Sequence, residues 1–288
     1  MTSHSGNNHD EQRDVYQVAP FPKLRRALAL MYPAVQRAHK VRGLIEVDVT
    51  DARHYLRSHE TRTGEALSFT AFIAGCVAHA VDEDKMLNAC RAGGSHLALF
   101  RDVDLAIPIE RDVELGHGMG QRKQAIVYIV RAANRKGVLE VTREIRAARV
   151  ANLAHAWQGF SAERWIMPIP LFVLKAMWAI FWWARGRSPR LQKRYGGTVG
   201  LTSVGMFAKG GGWALPIDYH TLDVALGGIA AKPGVVDGKI AIREYLCVTL
   251  SFDHDIVDGA PGARFVSRLR ELIESGYGLH KEVPAAVH

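Results

Sequence analysis

The stretch LCVTLSFDHDIVDGAPGARFVSRLRELIE, residues 246–274, decides the fold of this chain. Residues 247–252 are apolar or β-branched and predict a buried strand that ends just before His254. A helix is predicted from Ala260 onward, because apolar side chains then recur at helical spacing. A histidine between a buried strand and a helix is well placed for acid–base chemistry, since imidazole titrates near neutral pH.

An aspartate and a glycine, Asp258 and Gly259, follow His254 by four and five residues. The junction Asp253-His254-Asp255-Ile256-Val257-Asp258-Gly259-Ala260 resembles the Asp-His-Arg-x-x-Asp-Gly-Ala motif of dihydrolipoamide acyltransferase (E2) catalytic domains. These are components of 2-oxo acid dehydrogenase complexes and members of the chloramphenicol acetyltransferase-like superfamily. The resemblance implies that His254 is the general base, and that Asp258 and Gly259 shape the loop that holds it.

Other stretches resemble the same family, in order, from Phe21 to Gly278. RRALA, at residues 25–29, is similar to the Arg-x-x-Ile-Ala opening of these domains, and EVDVT, at residues 46–50, matches one of their strands. The resemblance makes Arg25 the expected partner of Asp258, because a buried carboxylate without a partner would be costly.

The strand around Thr202 is similar to the family's Phe-Thr-Ile-Ser-Asn-Leu-Gly-Met-Phe. Aligned on Gly205, Thr202 takes the place of the serine whose hydroxyl stabilises the transition state, and Ser203 is the alternative donor. A donor aimed at a developing oxyanion is commonly worth about 3–4 kcal/mol.

Three features depart from the family pattern. Asp255 replaces an arginine, and its carboxylate should favour the protonated form of the neighbouring His254. His220 lies near the place of an Asn-Pro-Pro segment, where it either contacts substrate or is a hydrogen-bonded loop histidine. KGGGW, at residues 209–213, has no phosphate-loop spacing and is interpreted as a mobile loop at the mouth of the active-site channel.

A larger departure is an insertion at about residues 160–195. Residues 171–185 (LFVLKAMWAIFWWAR) predict an almost wholly apolar helix, followed by a basic tail that ends at Arg194. Its length of roughly 22 Å is too short to span a bilayer. The segment Leu171 to Arg194 therefore indicates burial at a contact with a subunit or partner, peripheral membrane attachment, or the lining of a pocket for a long acyl chain.

The predicted fold is an α/β (α+β) sandwich, with a mixed sheet flanked by helices. Residues 1–20 are interpreted as a disordered arm, 21–278 as the catalytic domain and 279–288 as a tail. The resemblance implies a homotrimer with active sites between neighbouring subunits. The tail has no apolar end, so a discrete trimer is expected rather than a larger cage.

Composition narrows the class of protein. The chain has 288 residues, 48% of them hydrophobic, and a net charge of +8, which favours polyanions such as coenzyme A. Its three cysteines have no CxxC spacing, which argues against a disulfide framework and a cysteine metal site and fits the cytoplasm. No metal is expected, and no nucleic-acid-reading motif is recognised.

The sequence therefore predicts an acyltransferase with coenzyme A thioester as donor or product. The acceptor is expected to be a thiol of the dihydrolipoamide type or another small acceptor. No lipoyl domain is recognised, so either a lipoyl group arrives on another protein or the acceptor is a different thiol, amine or alcohol. The alternative is a catalytically idle trimeric scaffold or a membrane-associated interaction protein. Asp255 and Thr202 favour this alternative, and the intact His254 motif argues against it.

Overall fold

The computed structural model describes residues 39–114, 121–150, 169–205 and 210–279. The predicted arm over residues 1–20, the segment that contains Arg25 and the tail beyond Leu279 lie outside these ranges, as does Lys209 of the glycine-rich loop.

A mixed sheet forms the centre of the described chain. The strands, in chain order, are β1 (Lys40–Asp48), β2 (Ala89–Arg91), β3 (Leu97–Leu99), β4 (Leu105–Glu114), β5 (Gln121–Val130), β6 (Val199–Ser203), β7 (Leu222–Val236) and β8 (Lys239–Asp253). Six of them form one sheet in the order β1-β8-β7-β6-β4-β5, and β2 pairs with β3 separately. β6 runs parallel to both β4 and β7, whereas the other pairs are antiparallel.

Helices connect these strands. They are α1 (Thr50–Thr63), α2 (Phe69–Glu83), α3 (Val138–Val150), α4 (Leu171–Arg185), α5 (Pro189–Gly196) and α6 (Gly259–Glu274), with a 3₁₀ turn at Ala133–Arg135. Ser68 precedes an apolar helical run and is the N-cap that the sequence predicts for α2, and its Oγ accepts the Ala71 N–H at 3.3 Å. α1 ends at Gly64, whose φ of 72° suits a residue without a Cβ.

The core lies between one face of the sheet and the helices. Alternate residues of a strand point to the same face, so Val224 of β7 and Val248 and Leu250 of β8 project together into this core. Phe72 of α2 and Leu269 of α6 are fully buried in the same cluster. The predicted mixed sheet flanked by helices is confirmed.

The second face of the sheet is polar and is partly covered by residues 210–221. Asp223, Thr249 and Ser251 alternate with the core residues and are buried on this face. The covering segment is held by Arg42 Nη2, which donates to Asp218 Oδ2 at 2.5 Å, and by Trp213 Nε1, which donates to the Ile45 carbonyl at 3.2 Å.

Two strand boundaries differ from the sequence pattern, which predicts strands over residues 198–207 and 222–229 and a hairpin turn at Asp237 and Gly238. β6 ends at Ser203, whereas β7 continues to Val236. β7 is longer because its pairing with β8 continues to the predicted turn. α5 was not predicted as a helix.

Candidate active site

His254 lies on a tight turn at the end of β8. The Ile256 and Val257 N–H groups donate to the Asp253 carbonyl at 3.0 and 2.9 Å, and the His254 N–H donates to the His39 carbonyl at 2.8 Å. The Val257 side chain is buried in the core and anchors the turn. The backbone of His254 is therefore fixed, while its side chain is exposed and makes no hydrogen bond to the described part of the chain.

Asp255 links this turn to two other elements. Its carboxylate accepts a hydrogen bond from His39 Nδ1 at 2.9 Å and pairs with the Arg91 guanidinium. The hydrogen bond from His39 and the nearby charge of Arg91 lower the pKa of Asp255 below its ordinary value. Asp255 stands where the resembled motif has an arginine. Its contacts link the turn that carries His254 to His39, which lies just before β1, and to Arg91 of β2.

Asp258 is the residue before the first turn of α6, and its side chain is exposed. It makes no side-chain capping bond to the helix. Because the carboxylate is exposed, the argument that burial requires a charged partner does not hold for this single chain. Arg25 lies outside the described residues, so its pairing with Asp258 stays a prediction.

Gly259 begins α6, and a Cβ built there would meet no atom within 4 Å. Neither crowding nor a positive φ within the described chain therefore requires glycine at this position.

Thr202 and Ser203 form the end of β6 and are both half-buried. Leu201 belongs to the core, so alternation places Thr202 on the polar face and directs Ser203 to the opposite face. Thr202 pairs with Ala225 of β7, which pairs in turn with Thr249 of β8. The two candidate donors therefore face different sides of the sheet, and one site cannot use both.

The structure does not bring Thr202 and His254 together within one chain. Thr202 on β6 aligns across the sheet with Thr249 on β8, and β7 lies between the two strands. Thr249 precedes His254 by five residues. Strand geometry separates the two residues by about 16 Å along the sheet and about 10 Å across it. An oxyanion donor and a base that serve one reacting carbonyl must each lie about 3 Å from it or its attacking group.

His220 is held in a buried network. Its Nδ1 is 2.6 Å from Asp223 Oδ1, and its Nε2 is 2.7 Å from the Gly196 carbonyl. Asp223 Oδ2 also accepts the backbone N–H groups of Tyr219 and His220 at 2.9 Å each. Both ring nitrogens are thus engaged within the protein, which favours the interpretation as a hydrogen-bonded loop histidine over substrate contact.

His39 and Arg91 were missed by sequence reasoning. They are separated from Asp255 by 216 and 164 residues, and neither lies in a motif. The signal in the sequence was the negative charge of Asp255, which favours cationic partners but does not indicate their positions in the chain.

Metal-ligand clusters and reactive cysteines are two alternative sources of chemistry in a protein. No group of three or more His, Cys, Asp or Glu side chains in the described ranges is placed to hold a metal ion. The three cysteines are buried and are not in disulfide bonds, and burial raises the pKa of the Cys76 thiol far above its ordinary value. Cys76 is therefore a poor nucleophile.

Comparison with known families gives a match that includes the His254 motif. Residues 175–280 match the model of the 2-oxoacid dehydrogenases acyltransferase (catalytic domain). A relative from Acholeplasma laidlawii, the dihydrolipoyllysine-residue acetyltransferase component of a pyruvate dehydrogenase complex, is 27% identical over 73% of this chain and 31% of its own length. The protein of the same name from Staphylococcus epidermidis is 23% identical over 88% of this chain and 50% of its own length. The chain thus spans half or less of these relatives.

Solved structures establish the fold. A probable dihydrolipoamide acetyltransferase from Listeria monocytogenes has a TM-score of 0.64 with 21% identity, covering 94% of this chain and 99% of the other. The cubic core of a pyruvate dehydrogenase multienzyme complex also has a TM-score of 0.64, with 16% identity over 97% of this chain and 100% of the other. These structures confirm the predicted fold, and the sequence match over residues 175–280 confirms the predicted resemblance to the E2 acyltransferase catalytic domain.

Proposed function

We propose that this chain transfers an acyl group between coenzyme A and a thiol of the dihydrolipoamide type, at a site shared by two copies in a homotrimer. The observation that carries the proposal is the exposed His254 on its fixed turn, within a motif and fold related to acyltransferases. The relatives are named as acetyltransferases acting on a dihydrolipoyllysine residue, which supports a lipoyl-carrying protein as the second partner.

His254 is the general base of this proposal. A free thiol has a pKa of about 8.5 and is only a few per cent ionised near pH 7. His254 takes the proton from the acceptor thiol, and the resulting thiolate attacks the thioester carbonyl carbon. The carbon–sulfur bond to the leaving thiolate then breaks, and His254 returns the proton to that sulfur. The reverse reaction uses the same groups.

Thr202 of a neighbouring copy is the oxyanion donor. Attack on the thioester places a negative charge on the carbonyl oxygen, which the threonine hydroxyl stabilises by donating a hydrogen bond. The separation of Thr202 from His254 in one chain supports a shared site, because a second copy can bring its own Thr202 to the exposed imidazole. Thr202 is favoured over Ser203 because the latter is directed to the face that carries the core.

The first test is acyl exchange from acetyl-, propionyl- and longer acyl-coenzyme A to free dihydrolipoamide. We expect His254→Ala to lower the rate by roughly 10²–10⁴-fold, the usual contribution of a positioned base. His96→Ala, which removes an exposed histidine from the β2–β3 hairpin, is the matched control and should leave the rate unchanged. Equal rates for the two variants would refute the role of His254.

Mixed oligomers test the shared site. Subunits with His254→Ala and subunits with Thr202→Val are each expected to be nearly inactive alone. When they are co-expressed with different tags and purified as mixed trimers, about one site in three should regain both groups, because each mixed trimer contains one subunit contact of the right kind. No regained activity in verified mixed trimers would rule out a site built from two copies.

The acyl-exchange assay also distinguishes an active enzyme from a catalytically idle scaffold. If the wild-type oligomer shows no turnover with any donor, calorimetry with coenzyme A follows. Binding would point to another acceptor, whereas the absence of binding would favour the scaffold.

A further inference from the structure

Helix α4 presents an apolar face to solvent. Successive residues of a helix are rotated by about 100°, which places Phe172, Ala176, Ala179, Ile180 and Trp183 along one side, here called the outer face. Phe172, Ile180 and Trp183 are 75%, 66% and 60% exposed. This side of the helix is therefore not buried within its own chain, and the expected contact with a subunit, a partner or a membrane stays a prediction.

The opposite side of α4 is packed. Leu174 is buried, the rings of Trp178 and Phe181 are 5.7 Å apart, and Phe181 is 6.3 Å from the ring of Tyr195 on α5. α5 is tied to the sheet, because Arg131 donates to the carbonyls of Lys193 and Arg194 at 2.6 Å and to Asp104 at 2.8 Å. These contacts on the inner side of α4 fix the helix in the orientation that exposes its outer face.

The surroundings of this face are basic. The sequence has no Asp or Glu between Glu163 and Asp218, whereas that stretch contains eight Lys or Arg residues. Lys175, Arg187, Arg190 and Arg194 are exposed and have no carboxylate partner among the described residues. The Arg187 guanidinium lies 4.2 Å from the centre of the Trp183 ring, so a cation and an amphipathic aromatic ring occupy the same end of the outer face.

We propose that the outer face of α4 docks on the surface of an anionic lipid bilayer. The apolar side chains would enter the boundary between headgroups and acyl chains, with the helix lying in the membrane plane. Arg187, Arg190 and Arg194 would contact anionic headgroups, and Trp183 suits the interface because its ring is amphipathic. In the described ranges, no helix is long and apolar enough to cross a membrane.

Charge favours lipid over a second copy of the chain. A symmetric contact through this face would bring together two copies of a stretch that has eight Lys or Arg residues and no Asp or Glu between Glu163 and Asp218. Such a contact would pair like charges, whereas an anionic bilayer supplies the opposite charge together with an apolar layer. This inference does not depend on the proposed acyltransferase activity.

Co-sedimentation of the full chain with vesicles tests the proposal. We expect binding to vesicles of phosphatidylcholine with phosphatidylglycerol at low salt, and weak binding to phosphatidylcholine alone. Ile180→Glu should weaken binding about tenfold or more, since it places a charge in the apolar layer. Val150→Glu, which alters an exposed apolar residue at the end of α3, is the matched control and should bind as wild type does.

A second pair of variants tests the charges. Arg187→Gln with Arg190→Gln and Arg194→Gln should weaken binding to the anionic vesicles roughly 100-fold at low salt. Arg62→Gln with Arg149→Gln and Arg264→Gln removes the same charge from exposed arginines elsewhere and should have little effect. Circular dichroism verifies that each variant is folded.

Several outcomes would overturn the proposal. These are no binding to either vesicle, equal binding to both, or equal binding of Ile180→Glu and Val150→Glu. If vesicles are not bound and Ile180→Glu instead lowers the mass of the assembly in analytical ultracentrifugation, the outer face is a contact between copies.

Discussion

At the scale of single residues, Asp255 anchors the turn that carries His254. The His39 carbonyl accepts the N–H of His254, and the His39 ring donates to the carboxylate of Asp255. His39 therefore holds both residues, and Arg91 holds Asp255 from the β2–β3 hairpin. Loss of the carboxylate would remove the contacts with the His39 ring and Arg91 and leave the His254 N–H bond to the His39 carbonyl.

We predict that Asp255→Asn lowers acyl exchange by up to about tenfold, because small misplacements of a catalytic group are costly. The amide keeps the size of the side chain and removes its charge. Asp237→Asn, in the exposed β7–β8 turn, is the control and should have the rate of the wild type. Equal rates for the two variants would show that the Asp255 contacts do not position His254.

The contacts of Asp255 with His39 and Arg91 predict that the stability of the fold depends on pH. The pKa of Asp255 is lowered from its ordinary value of 3.8 by the hydrogen bond from His39 and the charge of Arg91. A carboxyl group whose pKa is lower in the folded than in the unfolded state stabilises the fold at pH values above its ordinary pKa. This contribution is lost as the pH falls through the pKa of the folded state. The small difference in Tm between wild type and Asp255→Asn should therefore be present at pH 6 and shrink as the pH falls below 3.8.

At the scale of elements, two glycines allow β7 to pass beneath the covering segment. A Cβ on Gly227 would lie 2.1 Å from the Gly212 carbonyl oxygen, and one on Gly228 would lie 2.0 Å from that of Gly210. The pairing of β7 with β8 is irregular at this point, between Leu226 and Ile229. Backbone packed this closely leaves no room for a side chain.

We predict that Gly228→Ala lowers the free energy of unfolding by about 1–3 kcal/mol, as overpacking commonly does. Gly43→Ala in β1 is the control, because a Cβ there meets no atom within 4 Å, and it should change stability by less than about 0.5 kcal/mol. Urea unfolding of both variants measures the difference. A destabilisation of Gly43→Ala as large as that of Gly228→Ala would contradict the steric explanation.

At the scale of the whole molecule, the β7–β8 hairpin extends beyond the rest of the described sheet. β8 pairs with β1 only from Tyr245 onward. Residues 231–244 form strand pairs only with each other, within the hairpin. Val235, Ile240 and Ile242 share one face of this arm and are exposed, Ile240 by 82%. An isolated two-stranded arm with an apolar face gains stability when another surface covers it.

We predict that a second copy covers this arm in the proposed trimer. Ile240→Glu combined with Ile242→Glu should reduce the mass in analytical ultracentrifugation from trimer to monomer and remove acyl exchange, while circular dichroism stays unchanged. Val150→Glu should remain trimeric. An unchanged mass in the double variant would exclude the arm from the subunit contact.

Much of the fold could be predicted because the decisive patterns are local. The strand before His254, the helix after Asp258, the Ser68 cap and the turn at Asp237 each depend on residues close together in sequence. The bounds of β6 and β7 were less predictable, because where pairing stops depends on neighbouring strands and on the close approach at Gly227 and Gly228.

The sequence by itself determined the elements, the relationship to the acyltransferases and the candidates His254 and Thr202. Only the tertiary structure decided that His220 is engaged through both ring nitrogens and that Asp255 contacts His39 and Arg91. It also decided that Thr202 lies far from His254 in one chain and that one side of α4 faces solvent. The physical reason is that periodicity and capping act between near neighbours, whereas hydrogen-bond partners, separations and exposure depend on which distant segments fold against each other.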